Sequence, residues 1–154
     1  MSITIAQERP DSPDAAQLIA ELDAVLAPHY PVQSRHGYSI DKLLREGVAF
    51  FIARVDGTPA ACGGVLLIPG EYAEVKRMYV RPSYRGGGLG RLMLEHLIWY
   101  AQENAMQTLR LETGIFQTEA IGLYEKIGFQ RIPPFGPYTS DPVSVCFEKK
   151  LSLP

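Results

Sequence analysis

The sequence predicts an α+β fold (α/β in some schemes), built on one mixed, mostly antiparallel sheet of about seven strands with helices on both faces. Three strand-like stretches, VAFFIARV, TPAACGGVLLI and EYAEVKRMYV, are separated only by Asp56-Gly57 and Pro69-Gly70, the turn residues of an antiparallel meander. A glycine-rich run, RPSYRGGGLG at 81–90, then leads into the longest helical pattern, which is followed by another strand, TLRLETG. That is a β-α-β unit appended to a meander. The 154 residues hold no repeat, low-complexity block or long linker, so residues 1–154 read as one domain.

Taken in order, ITIAQ (3–7) reads as a first strand. DSPDAAQLIAELDAVL opens with cap residues and Pro13, and Leu18, Leu22, Val25 and Leu26 follow helical spacing. SIDKLLREG is a short second helix closed by Gly47. After the meander, GRLMLEHLIWYAQEN carries Leu89, Met93, Leu97 and Tyr100 along one stripe. TEAIGLYEKIG is a last helix ending on Gly128, and FQRI and VSVCFEKKL form a closing strand pair around PPFGPYTSDP.

Composition excludes several functions. A hydrophobic fraction of 46% and a charged fraction of 21% belong to an ordinary globular chain. The net charge of −2 gives no electrostatic case for nucleic acid or an anionic membrane surface. No apolar stretch approaches a membrane span, and MSITIAQERP lacks a basic segment followed by an apolar run. Cys62 and Cys146 sit in apolar strands and read as buried free thiols, so a cytoplasmic, reduced setting is expected. His29, His36 and His96 have no metal-ligand spacing, and no metal is expected.

The glycine run needs a reason, because glycine costs backbone entropy and adds nothing to a core. It is not a P-loop, since no lysine followed by a hydroxyl residue closes it. It is not a dinucleotide fingerprint either: starting at Gly86, the sixth position is Arg91. What remains is a helix whose first turn is nearly free of side chains. Amides of Gly86, Gly87, Gly88, Leu89, Gly90 and Arg91 would point out of that positive end, with Arg85 and Arg91 adding charge, a setting for a pyrophosphate. A ligand-free tight turn is the plain alternative.

Arg85-x-x-Gly88-x-Gly90 after EVKRMYV resembles the acetyl-CoA motif of the GCN5-related N-acetyltransferases (GNAT). Ala120-x-x-Leu123-Tyr124-x-x-x-Gly128-Phe129 is similar to that family's second signature, and the strand order agrees over nearly the whole chain. The resemblance implies acetyl-CoA as co-substrate, with its pyrophosphate on residues 86–91. It also implies a splay between VKRMYV and TLRLET, where pantetheine bonds like an added strand to the backbone of Met78, Tyr79 and Val80.

It further implies direct acetyl transfer to an amine within a ternary complex. A lysine-like amine with a pKa of about 10.4 costs roughly 4–5 kcal/mol to deprotonate at neutral pH. Tyr124 stands where family members protonate the leaving thiolate, although its helix face also suits core packing. Glu74, four residues before Met78, stands where some members place a general base; Glu112 on the next strand competes, as does a water relay. The Met78 N–H would hold the thioester oxygen. Gln117 replaces the asparagine of many relatives, at a position that contacts the cofactor.

For the acceptor, the resemblance points to APHYPVQSRHGYS and PPFGPYTSDP. There Arg35, His36, Tyr38, Phe135 and Tyr138 would line a small aromatic pocket, with Arg35 meeting a carboxylate and Glu112 nearby. A small-molecule amine is the expected acceptor. A protein lysine or N-terminal amine, or a non-catalytic acyl-CoA-sensing role, are the alternatives. Homodimers are common in the family.

Overall fold

The computed structural model describes residues 1–35 and 37–152. His36, one of the acceptor-loop candidates, lies outside the described residues. The elements run β1 (Ile3–Gln7), α1 (Pro13–Leu26), α2 (Ile40–Arg45), β2 (Ala49–Val55), β3 (Thr58–Ile68), β4 (Tyr72–Val80), α3 (Leu89–Glu103), β5 (Thr108–Gly114), α4 (Thr118–Ile127), β6 (Gln130–Ile132) and β7 (Ser144–Lys150). Two short 3-10 turns, Val32–Ser34 and Pro82–Tyr84, sit in loops that carry no helical spacing. Among the described residues no helix is long and apolar enough to cross a membrane.

The strands form one seven-stranded sheet in the order β1-β2-β3-β4-β5-β7-β6. Every neighbouring pair is antiparallel except β4–β5. α3 and α4 cover one face. Met93, Leu94 and Leu97 of α3 pack there with Leu109, Leu111, Phe147 and Tyr124. α1 and α2 cover the other, where Leu18, Leu22 and Leu43 meet Phe50, Ile52 and Cys62. Cys62 and Cys146 are buried and unbridged.

Local signals explain the helix ends. Ser12 caps α1 by accepting the Ala15 N–H at 3.2 Å, with Pro13 preset for the first turn. α4 stops at Gly128, whose φ of 107° only glycine adopts without strain. In α3 the buried stripe is Leu89, Met93, Leu94, Leu97 and Ala101. Tyr100, expected on that stripe, is half-buried and packs its edge on Phe51, with ring centroids 5.3 Å apart.

The feature that shapes the site is the β4–β5 pair. Its register holds only Ala73↔Leu109 and Glu74↔Arg110, after which β4 continues to Val80 and β5 to Gly114 without pairing each other. A bulge lies in the same part of β4. Lys76 pairs Gly64 and Tyr79 pairs Cys62, so Arg77 and Met78 together oppose Gly63.

α1 is tied to this strand by a bidentate pair. Arg81 donates from Nε and Nη2 to Glu21 at 3.0 and 2.8 Å, and Tyr79 Oη donates to the same carboxylate at 3.2 Å. The Arg81 hydrogen bonds hold the Glu21 carboxyl below its usual range. A lowered carboxyl pKa means that its stabilisation is fully present above the unfolded value and fades as pH falls through the folded one. Glu21→Gln is expected to cost about 1–2 kcal/mol near neutral pH. Measured by denaturant titration, the gap from wild type should narrow below about pH 4. A gap unchanged by acid would show that the ionised pair contributes nothing.

Candidate active site

Two cavities open from the splay. The larger, about 550 Å³, runs from Arg85, Gly86, Gly88 and Arg91 to Met78 and Tyr124. The smaller, about 130 Å³, is walled by Tyr30, Arg35, Lys76, Arg77, Glu112 and Tyr138. Both include Leu22, Met78, Gln117, Ala120 and Tyr124 in their walls, so they meet at the bulge of β4 and the inner face of α4.

The start of α3 fits an anion. Gly88, its N-cap, has φ 86° and carries no capping side chain, and Gly86 also has φ 86°. The first intrahelical bond runs from the Leu92 N–H to Gly88 O at 3.1 Å, so the preceding first-turn amides lack helical partners. The glycines have different reasons, however. A Cβ on Gly90 would come within 3.2 Å of Leu123 Cδ2 and 3.5 Å of Val80 Cγ2, so this glycine lets α3 pack on α4 and β4. Gly87 has open space and is not on the cavity wall. Arg85 donates from Nε to Val80 O at 2.9 Å, which ties the loop back to β4, while Arg91 faces Glu95 at 3.7 Å. Tyr79 offers the cavity only its backbone side, because its ring is buried against α1.

Tyr124 is 5% exposed, packed 5.7 Å from Phe129 and 6.3 Å from Phe147 by ring centroids. Among the described residues its hydroxyl has no hydrogen-bond partner, yet the residue borders both cavities. Burial, and then the charge of Glu112, push its pKa above the ordinary phenol value. The hydroxyl is thereby kept protonated. Packing thus holds a protonated hydroxyl where the two cavities meet.

The carboxylates separate. Glu112 lies on the small cavity's wall and accepts from Ser144 Oγ at 2.6 Å. Glu74, the expected base, is 2% exposed and borders neither cavity. Its Oε2 accepts from Lys76 Nζ at 2.8 Å and from Tyr138 Oη at 2.5 Å. Lys76 also donates to Tyr138 Oη at 2.9 Å. Burial lowers the Lys76 pKa against the opposing pull of Glu74, and burial followed by the Glu74 charge raises that of Tyr138. Lys76 and Tyr138 therefore face the cavity, with Glu74 behind them.

Tyr38, expected on the acceptor wall, is instead buried in the α1–α2 core. Its hydroxyl donates to Glu46 Oε1 at 3.1 Å, and Lys42 and Lys76 Nζ sit 4.2 and 3.9 Å from its ring centre. The ring is held there because it shields the buried lysine. Phe135 likewise packs edge-on against Tyr72, at 5.4 Å, outside both cavities. Arg35 does reach the small cavity.

Sequence reasoning missed Tyr30, Lys76 and Arg77. Tyr30 Oη accepts the Phe116 N–H at 2.9 Å and donates to Gln117 Oε1 at 3.3 Å, fastening the loop after α1 to the start of α4. A Cβ on Gly114 would lie 2.1 Å from the Tyr30 ring, so the glycine closing β5 was the one available signal. Gln117 thus spends its amide oxygen on the acceptor loop.

Residues 15–129 match the acetyltransferase (GNAT) family. The IAA acetyltransferase of Azospirillum brasilense is 42% identical over 151 residues, covering 97% of this chain and 99% of that one. The uncharacterised N-acetyltransferase YsnE of Bacillus subtilis is 33% identical over 79% of this chain and 82% of its own. A proposed acyl-CoA N-acyltransferase from Klebsiella pneumoniae superposes with a TM-score of 0.83 at 35% identity, over 97% of this chain and 98% of that one. The PaiA N-acetyltransferase of Thermoplasma acidophilum, solved with coenzyme A, shares the fold at a TM-score of 0.74 and 23% identity, covering 97% of this chain and 99% of its own. By sequence and by fold, the chain is a member of the GNAT family of acetyltransferases.

Proposed function

We propose that the protein transfers the acetyl group of acetyl-CoA directly to the primary amine of a small molecule, both substrates being bound at once. The reading rests on one observation above others: two cavities meet at Tyr124, whose hydroxyl has no partner among the described residues. Direct transfer needs such a meeting point, with one substrate entering from each side. A smaller cavity of about 130 Å³ suits a compact acceptor.

Bound acetyl-CoA supplies the acetyl thioester. The first-turn amides of α3, with Arg85 and Arg91, hold its diphosphate at the positive end of the helix. β4 backbone past its last pairing with β5, at Met78 and at the Val80 N–H, holds the pantetheine arm in the splay, and the Met78 N–H donates to the thioester oxygen as charge develops there. Tyr124 gives its hydroxyl proton to the departing sulfur. On the acceptor side, Glu112 takes the proton of the amine, being the carboxylate on that cavity's wall, while Glu74 fixes Lys76 and Tyr138. Arg35 is available to a carboxylate on the acceptor. Solvent-side loops at 27–35 and 133–142 complete the pocket.

An assay of thiol release from acetyl-CoA against a panel of amines and peptides tests the proposal. Saturable, acceptor-dependent release with small amines supports it. Turnover confined to peptides would move the acceptor class to protein amines. No turnover alongside tight acetyl-CoA binding would indicate a sensing role.

Tyr124→Phe keeps the ring contacts with Phe129 and Phe147 and removes only the hydroxyl. Turnover is expected to fall on the order of 10²-fold, about 2.7 kcal/mol, while acetyl-CoA affinity changes little. Unchanged turnover at saturating acceptor would reduce Tyr124 to a packing residue.

Glu112→Gln is expected to slow turnover at neutral pH and to recover part of it as alkali deprotonates the amine without help. Glu74→Gln should act mainly through the acceptor KM, because it frees Lys76 and Tyr138. Alkaline recovery in Glu74→Gln and not in Glu112→Gln would reverse the assignment.

A further inference from the structure

Arg77 is out of character for its place in β4. It has φ 55°, a left-handed conformation that glycine adopts freely and arginine does not. Its side chain is 4% exposed, and among the described residues its Nε is buried without a hydrogen-bond partner. Strain, a buried charge and an orphan donor all argue against arginine on stability grounds. The side chain therefore holds something that glycine would not.

Contacts from three parts of the fold fix it. Nη2 donates to Asp23 Oδ1 at 2.5 Å and to Ile19 O at 3.4 Å, both on α1. The acceptor loop presses on the guanidinium at Gly37, where a Cβ would lie 1.9 Å from Nη1. From β3, the Cys62 thiol donates to Arg77 O at 3.3 Å. Helix, loop and neighbouring strand thus grip one residue from separate directions. Arg77 is also the residue immediately before Met78, and the two share the bulge opposite Gly63.

We infer that Arg77 is a positioning residue, whose clamp on Asp23 holds the β4 bulge and so aims the Met78 amide at the reacting thioester. This rests on the proposed acetyl transfer. A strand slipping by one residue turns each backbone group to the opposite side, so a bulge that relaxed or migrated would redirect that N–H. Asp23 is the informative handle. Its side chain is 62% exposed and stands outside both cavity walls, so replacing it removes the clamp without opening the core.

The experiment compares Asp23→Asn, Asp23→Glu and Arg77→Gly with wild type. It reads kcat, acetyl-CoA affinity, melting temperature and the ¹⁵N–¹H shift of the Met78 amide. Asp23→Asn should lower kcat about tenfold and move the Met78 resonance, with acetyl-CoA affinity within about twofold, since neither Asp23 nor Arg77 borders the larger cavity. Asp23→Glu should restore much of the rate, as a carboxylate is present again. Arg77→Gly should relieve the backbone strain yet lose rate like Asp23→Asn. A merely structural role would instead lower the melting temperature without a selective change in kcat or in the Met78 resonance. An active wild type accompanied by variants within about twofold in kcat overturns the inference alone. A wild type that binds acetyl-CoA but acetylates nothing overturns the proposed function, and the inference with it.

Discussion

The parting of β4 from β5 is the constraint on which the rest of the molecule depends. Two parallel strands that pair at Ala73–Glu74 and Leu109–Arg110 and then diverge leave backbone groups in the middle of a sheet without partners. Unpaired backbone in a protein interior is costly, so it must be met by water or by a ligand. The divergence also leaves open space between β4 and β5, which a continuous sheet would close. The two cavities communicate for that reason, and Tyr124 from α4 fills the junction.

Holding the strands apart requires support from both layers. On one side α3 approaches closely because Gly90 carries no side chain against Leu123 and Val80. On the other, α1 is fastened to β4 by Glu21–Arg81 and by Asp23–Arg77, one pair beyond the bulge and one within it. Tyr30 then bridges from the loop after α1 to Phe116 and Gln117, across the mouth of the opening. The cleft is thus spanned by side-chain contacts where main-chain pairing has stopped.

Part of the smaller cavity's polar wall is satisfied from within the protein. Lys76, Glu74 and Tyr138 bond one another, and Tyr38 covers the ammonium with its ring. Such a buried pair adds little net stability over apolar packing, since desolvation offsets attraction. What it does supply is direction. Each group is held at a fixed angle, and the arrangement keeps Glu74 off the cavity wall while Glu112, on the neighbouring strand, lies on it.

Much of this was legible in the sequence because it is local. Ser12 with Pro13, Asp56-Gly57 and Gly128 each encode an end or a turn through their own backbone preferences, so the element order follows from the chain read linearly. The glycine run and the Ala120–Phe129 signature likewise sit on contiguous residues, and the parts of the larger cavity's wall from Arg85 to Arg91 and from Ala120 to Tyr124 lie on them, whereas Leu22, Val25, His29 and Phe116 were not singled out. The acceptor side was not legible, since its wall is assembled from α1, β4, β5 and the β6–β7 loop. Whether Tyr38 faces a cavity or a lysine, and which of Glu74 and Glu112 reaches the acceptor, depends on contacts between residues up to 64 positions apart. The bulge at Arg77 has no signature of its own, because arginine is a poor choice for a positive φ. By itself the sequence determined the elements and the glycine-rich turn that opens α3; only tertiary packing decided which polar side chains face the cleft, because burial and pairing between distant strands set that direction.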